Sequence, residues 1–327
     1  MKLYLAPMEE ITGYVFRNVL WRHFGCVDKY FTPFISPDNR ITKKKYGCEL
    51  LSANNEGMNT VPQLLTNDPA LFNDAARTIA DMGYEEININ FGCPSNTVTG
   101  KFKGSGILRA PEMMDRFLDG VFSAHGSVLA SYPKMRISLK TRVGYNDETD
   151  FDKAAEVLKR YPFSEITIHP RLKKDMYGGK PRMELFDRAC GLFGAKIIYN
   201  GDIASIQDFN DIVGRYKGKI EGVMIGRGAV KNPAIFRQIR TGKKMTKEEL
   251  FSFLDDLFEA YKEEYDAGNA AAKLKEVWSY TVGFIQDEKE RADIYKMIVK
   301  SKGENGYRDA SLVARGRIKI NSTEGLQ

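Results

Sequence analysis

Glu85–Leu108, EEININFGCPSNTVTGKFKGSGIL, opens as a strand and runs out into a glycine-rich stretch. Ile87, Ile89 and Phe91 alternate with Glu86, Asn88 and Asn90, the period of a strand with two different faces. The strand stops at Gly92-Cys93-Pro94, because proline cannot donate to a ladder and restricts the residue before it to extended geometry. A thiol is thereby held at the mouth of a strand, with Asn90 three residues before it. Gly100, Gly104 and Gly106 then predict a flexible loop, and loops on rigid scaffolds are where sites are built.

Seven more apolar runs resemble this strand: residues 2–8, 29–35, 60–65, 136–142, 165–169, 196–200 and 222–225. Segments of helical period separate most of them, at 14–24, 69–82, 111–124, 150–161, 183–193, 205–216 and 232–240. Asp68 before Pro69 is a helix N-cap with proline at the first position, and Ser205 with Asp208 is another cap-like start. Strand–helix alternation repeated eight times predicts a parallel sheet with helical crossovers. An open doubly wound sheet usually carries a glycine-rich turn after its first strand. Here the first strand ends in Ala6-Pro7-Met8, so the expected fold is α/β, a closed (β/α)8 TIM barrel.

Beyond Arg240 the composition changes. Helical patterns run over 246–265, 270–285, 288–301 and 309–318, the first opening with the capping-box pair Thr246 and Glu249. The expected division is a catalytic barrel over residues 1–240 and a small all-helical C-terminal domain over 241–327.

The bulk numbers narrow the function. The 327 residues are 43% hydrophobic and 28% charged, the balance of a globular protein. No run is long enough to span a bilayer, and MKLYLAPMEE does not read as a signal peptide, so a cytoplasmic protein is expected. Cys26, Cys48, Cys93 and Cys190 form no CxxC pair, and only His23, His125 and His169 are present. No metal centre and no disulfide framework are expected. The net charge of +6 permits a polyanionic partner without demanding one.

In a (β/α)8 barrel the chemistry gathers at the C-terminal strand ends. Those ends carry Pro7-Met8, Gln63, Asn90/Cys93, Lys140 and Arg142, His169 and Arg171, Asn200-Gly201-Asp202, and Gly226-Arg227-Gly228. The last two follow strands seven and eight, where barrels often hold a phosphate, and Arg227 suits charge-assisted hydrogen bonds. Lys140 either meets an anion, such as the pyrimidine edge of a flavin, or snorkels to solvent. Gln63 could bond the same ring edge. His169 is either structural or a contact to ring or phosphate. Cys93 has three readings: an inert buried residue, a nucleophile lacking a base in its loop, or a general acid.

Taken in order, LAPMEEITGYVFR, VPQLL, ININFGCPS, GSGIL, SLKTRVG, TIHPR, YNGDI and VMIGRGA resemble the tRNA-dihydrouridine synthase family from Leu3 to Gly228. The resemblance implies bound FMN, with NADPH as a transient reductant. It assigns Pro7, Met8, Gln63, Lys140, His169, Asn200, Gly201, Asp202, Gly226 and Arg227 to FMN. Cys93 would be the proton donor to uracil C5 as hydride reaches C6, and Asn90 and Arg171 would face the uracil. The partner would be tRNA, gripped through phosphates and shape and with the target uridine flipped out; a monomer is expected. Lys273, Lys275, Lys300 and Lys302 are the helical-domain candidates for RNA contact. The chain departs from the family pattern at Asn88, often Asp; at Asn96, usually Lys; at His169-Pro170, usually His-Gly; and along YGGKPRMELF. Two other readings stay open, an FMN barrel acting on a free small molecule and a non-catalytic RNA-binding barrel.

Overall fold

The computed structural model describes residues 1–37 and 44–320. Every apolar run becomes a strand: β1 (Lys2–Leu5), β2 (Tyr30–Phe31), β3 (Thr60–Val61), β4 (Gln63–Leu64), β5 (Glu86–Phe91), β6 (Arg136–Arg142), β7 (Ile166–His169), β8 (Ile197–Tyr199) and β9 (Gly222–Ile225). Nine strands come from eight runs because Pro62 splits the third. Its missing N–H lies on the β5 side, where its carbonyl accepts from Asn88 N at 2.9 Å, so the ladder with β5 begins only beyond it, while pairing on the β2 side resumes at a bridge between Ile35 and Leu64. β3 therefore pairs with β2 and β4 with β5, both parallel. Parallel pairing continues from β5 through β9, and β9 neighbours β1. A bridge between Tyr4 and Lys29 joins β1 to the start of β2, closing the ring. The fold is an eight-segment parallel barrel, as the alternation predicts.

Two compact units make up the chain. The first is Met1–Pro7, Asp28–Gly201 and Ile212–Met224, and contains the barrel. Its packed interior includes Tyr4, Ala6, Phe31, Val61, Ile198 and Met224, all buried. Outward-facing Phe91 of β5 meets Phe117 of helix Pro111–Phe122, with ring centroids 5.9 Å apart. Helix Pro69–Asp81 is capped as its sequence predicts, Asp68 Oδ1 accepting from Ala70 N at 2.8 Å and Leu71 N at 3.1 Å.

The second unit is Met8–Val27, Asp202–Asp211 and Ile225 onward, so the helical tail gathers in segments from earlier in the chain. Helix Tyr14–His23 sets Phe16 edge-on to Phe253 of helix Lys247–Glu264, centroids 5.7 Å apart, and His23 Nε2 pairs with Asp256 at 2.7 Å. The Thr246–Glu249 capping box is reciprocal. Helices Ala267–Thr281, Glu288–Lys300 and Gly303–Arg317 complete the tail. Trp278, fully buried, donates its indole N–H to Tyr307 Oη at 3.1 Å. Among the described residues no helix is long and apolar enough to cross a membrane.

The glycine-rich stretch after β5 differs from expectation. It forms two short helical turns, Asn96–Thr99 and Gly104–Arg109, with Gly104 to Leu108 buried. A Cβ on Gly106 would stand 2.5 Å from the Thr99 carbonyl oxygen. Here glycine serves close backbone approach rather than mobility.

Candidate active site

The period of two along β5 and β6 places polar side chains inside the barrel at every second position. Glu86, Asn88 and Asn90 on β5 stand in register with Arg136, Ser138 and Lys140 on β6. Gln63 on β4 is fully buried, and its Nε2 donates to Asn88 Oδ1 at 2.7 Å. Asn90 Nδ2 donates to Gln63 Oε1 at 2.7 Å, while Asn90 Oδ1 accepts from the N–H of Gly92 at 3.0 Å and of Cys93 at 2.9 Å. One N–H of Asn90 remains after these bonds.

Cys93 is clamped on its other side as well. Its carbonyl accepts from Ser105 N at 3.0 Å and Ser105 Oγ at 2.9 Å. The carbonyl of Gly92 accepts from Arg142 Nε at 3.0 Å. The peptide groups around the thiol thus have defined partners on three segments, and the partly exposed side chain is presented from a fixed backbone. Gly104, at φ +56°, allows this, since a Cβ there would lie 2.8 Å from the Cys93 carbonyl oxygen.

Lys140 reaches back toward the same turn, its Nζ 3.7 Å from where a Cβ on Gly92 would sit. Burial, with the Arg142 guanidinium nearby, pulls its ammonium down to about 8. Lys140 as a residue keeps some exposed surface. Among the described residues the ammonium has no hydrogen-bond or ion-pair partner. Arg142 is pulled down to about 10, chiefly by burial. Its Nη1 donates to the Leu172 carbonyl at 2.9 Å.

His169 and Arg171 form one buried pair, Arg171 Nη1 donating to His169 Nε2 at 3.1 Å. Arg171 also donates to the carbonyls of Gly178 at 3.0 Å and Gly179 at 2.6 Å, so it pins the loop after β7. The departure at Asn96 has a partner on that loop: its Oδ1 accepts from Lys173 Nζ at 2.7 Å. Asn200 Nδ2 donates to the Met224 carbonyl at 2.8 Å. Gly201 follows where no side chain fits, a Cβ there falling 2.7 Å from Tyr199 Oη.

The remaining predicted residues divide between the units. Pro7 ends the first segment of the first unit, partly exposed. In the second unit, Met8 opens a turn in which its N–H donates to Thr12 Oγ1 at 2.7 Å. Asp202 pairs with Arg227 at 2.7 Å, both half-exposed. Gly226 precedes the short helix Arg227–Lys231. A Cβ on Gly228 would overlap the Ile203 carbonyl, so these two turns meet backbone to backbone. Of the tail lysines, Lys273 pairs with Glu10 and Lys275 donates to the Ser301 carbonyl, while Lys300 and Lys302 are exposed.

Sequence reasoning overlooked what lies beneath Asn88. Asn88 Nδ2 donates to Ser138 Oγ at 3.0 Å, and Ser138 Oγ donates to Glu86 Oε1 at 2.8 Å. Lys29 Nζ bonds both Glu86 oxygens, at 2.9 and 3.0 Å, and Glu165 Oε1 at 2.8 Å. Glu165 Oε2 accepts from Tyr4 Oη at 2.8 Å, and burial with this carboxylate pushes the phenol upward. The signal was the unbroken polar alternation of Glu86, Asn88 and Asn90. A cavity of about 690 Å³ opens near Glu86 and Arg136, at the N-terminal strand ends. None of the predicted site residues lines it.

Comparison with known proteins finds relatives of the chain in sequence and in fold. Residues 4–304 match a family model described as dihydrouridine synthase (Dus). A tRNA-dihydrouridine(16) synthase of Aquipseudomonas alcaligenes is 28% identical over 288 residues, covering 84% of this chain and 89% of the relative. A tRNA-dihydrouridine synthase B of Shewanella oneidensis is 27% identical over 270 residues, covering 81% and 80%. Among solved structures, morphinone reductase superposes with a TM-score of 0.55 at 12% identity, over 77% of this chain and 88% of that one, a likeness of fold alone.

Proposed function

The chain belongs to the dihydrouridine synthase family, and from that membership we propose its chemistry in particular: FMN as the flavin, NADPH as its reductant, and Cys93 as proton donor. As a family member it is an oxidoreductase that reduces uridines in tRNA; we place that activity in the cytoplasm.

The observation that carries the reading is Cys93, fixed through its N–H and its carbonyl beside a buried ammonium with no anionic partner among the described residues. A buried, unpaired cation is unfavourable. The pyrimidine edge of a flavin is the partner its chemistry asks for. Gln63, Lys140, His169, Asn200, Gly201 and Pro7 of the first unit would hold that group. Met8, Asp202, Gly226 and Arg227 of the second are assigned to it by the family resemblance. When bound, the flavin supplies to uracil C6 the hydride it has taken from NADPH. The uracil C5=C6 bond is conjugated to the C4 carbonyl, so charge builds at C5 and O4. The Cys93 thiol gives its proton to C5, and the clamp on its backbone sets where that proton arrives. Asn90 offers its remaining N–H to the uracil. Arg171 acts on the substrate's side of the rim through His169 and the loop it pins. A uridine reaches such a site only out of its stack, as enzymes acting on a base require.

FMN titration tests the cofactor assignment. The protein is expected to turn yellow and bind one equivalent. Lys140→Met should weaken binding roughly tenfold, about 1.4 kcal/mol. A protein that stays colourless with excess FMN overturns the assignment.

A further inference from the structure

We propose that Glu86 and Ser138 are positioning residues: they fix the direction of the Asn88 amide, and through it the direction of the amides of Gln63 and Asn90 beneath Cys93. This rests on the reading of Cys93 as proton donor and goes beyond it.

The chain of bonds can run only one way. At its lower end stands Glu86, buried and charge-paired with Lys29 at 2.9 Å. A carboxylate only accepts. The Ser138 hydroxyl spends its single proton on Glu86 and can only accept from Asn88. Asn88 must then turn Nδ2 to Ser138 and Oδ1 to Gln63. Gln63 must turn Nε2 down to Asn88 and Oε1 up to Asn90. Asn90 is left with Oδ1 facing the N–H groups of Gly92 and Cys93, which can only donate. The donor-only upper end and the acceptor-only lower end agree through five side chains, with no mismatched link. Chains aligned in this way polarise one another at low dielectric.

The departure at Asn88 acquires a reason. An aspartate at that position would present an acceptor to Gln63 unaided. An asparagine can flip, so it needs a neighbour to choose its face. Ser138 makes that choice from below, as the N–H groups of Gly92 and Cys93 do from above, and Ser138 is itself directed by Glu86, two residues before Asn88 on β5. A flipped Asn88 would turn a donor toward Gln63, and if Gln63 and Asn90 turned with it, Asn90 Nδ2 would face the N–H of Cys93. The turn bearing the thiol would have to move, and a displacement of about 1 Å can slow chemistry on the order of a hundredfold.

The test uses the full chain loaded with FMN, with NADPH and tRNA. It measures kcat and KM for dihydrouridine formation, and the rate at which iodoacetamide alkylates Cys93, read by peptide mass spectrometry. Ser138→Ala is expected to lower kcat about tenfold with KM for tRNA within about twofold, and to change the alkylation rate at least about threefold. Ser138→Thr keeps the hydroxyl and should behave as the unmodified chain does. The deciding variant is Ser138→Ala with Asn88→Asp. A carboxylate cannot present a donor, so the double variant should recover kcat and alkylation to within about threefold of the unmodified chain. If Ser138→Ala fails to fold, Glu86→Gln, whose amide can turn and donate, takes its place with the same rescue. Unchanged kcat and alkylation in the single variant, or a double variant no better than the single, overturns the proposal. If the unmodified chain forms no dihydrouridine while alkylation still follows the pattern, the positioning role stands and the reading of the reaction falls.

Discussion

The barrel interior has two unlike halves. Around β8, β9, β1 and β2 it is filled by Ile198, Met224, Tyr4, Ala6 and Phe31, which bury surface in the ordinary way. Around β4 to β7 it is filled by Gln63, Asn88, Asn90, Ser138, Lys140, Thr167 and His169. Burying polar groups is unfavourable unless each finds a partner. Gln63, Asn88, Asn90 and Ser138 do so in the aligned chain from Glu86 to Cys93, and His169 does so with Arg171. The exceptions are the buried Thr167 hydroxyl and the ammonium of Lys140, its register partner on β6, which have no hydrogen-bond partner among the described residues. One half therefore contributes stability. The other holds groups in defined directions and leaves its open valences where the flavin is proposed.

Substitutions in the two halves should separate these roles. The largest loss of stability is expected from Lys29→Met, which leaves buried Glu165 without its cation and buried Glu86 with only the half-exposed Arg136 at 3.5 Å. Stranding buried charge in this way typically destabilises by about 3–5 kcal/mol, read as a lower urea midpoint. A loss below about 1 kcal/mol would mean that water already reaches the cluster.

Lys140→Met should act in the opposite direction. The folded-state value of about 8 lies below the ordinary lysine value, so the protonated side chain opposes folding. That penalty is complete below pH 8 and is relieved as pH rises through 8 toward about 10.4, where the unfolded chain also loses its proton. In flavin-free protein the variant should therefore be more stable at pH 7 by on the order of 2 kcal/mol, with the advantage gone near pH 10.4. A difference independent of pH would show that the ammonium is solvated.

The smallest effect belongs to the apolar half. Ile198→Val should lower stability by about 0.5–1.5 kcal/mol while leaving kcat of the folded protein within about twofold. A large fall in kcat would mean that the two halves are not separable.

Much of this was legible in the sequence, for physical reasons. All eight apolar runs are strands because period-two alternation and turn residues are local signals. The caps at Asp68 and Thr246 were legible for the same reason. Residues at strand ends could be placed on one rim because parallel barrels leave little choice. What could not be read depends on distance in the chain. Lys29 meets partners 57 and 136 residues away, and nothing near it in sequence announces them. Gly104 and Gly106 read as part of a flexible loop, and their close approach to the Cys93 and Thr99 backbones exists only in the folded chain. Arg171 faces the substrate by family resemblance, and its bonds to the carbonyls of Gly178 and Gly179 exist only in the folded chain. Side-chain burial of that kind has no local signature.

The central claim is that this chain reduces uridine in tRNA with Cys93 as its proton donor. It is tested most directly by incubating FMN-loaded protein with NADPH and unmodified tRNA and measuring dihydrouridine by mass spectrometry, beside Cys93→Ala. The unmodified chain should form dihydrouridine. The variant should keep its flavin and its reduction by NADPH but lose on the order of 10²–10⁴ in uridine reduction, the usual contribution of a general acid. No product from the flavin-loaded chain, product only from free uracil or orotate, or equal rates for chain and variant would contradict it.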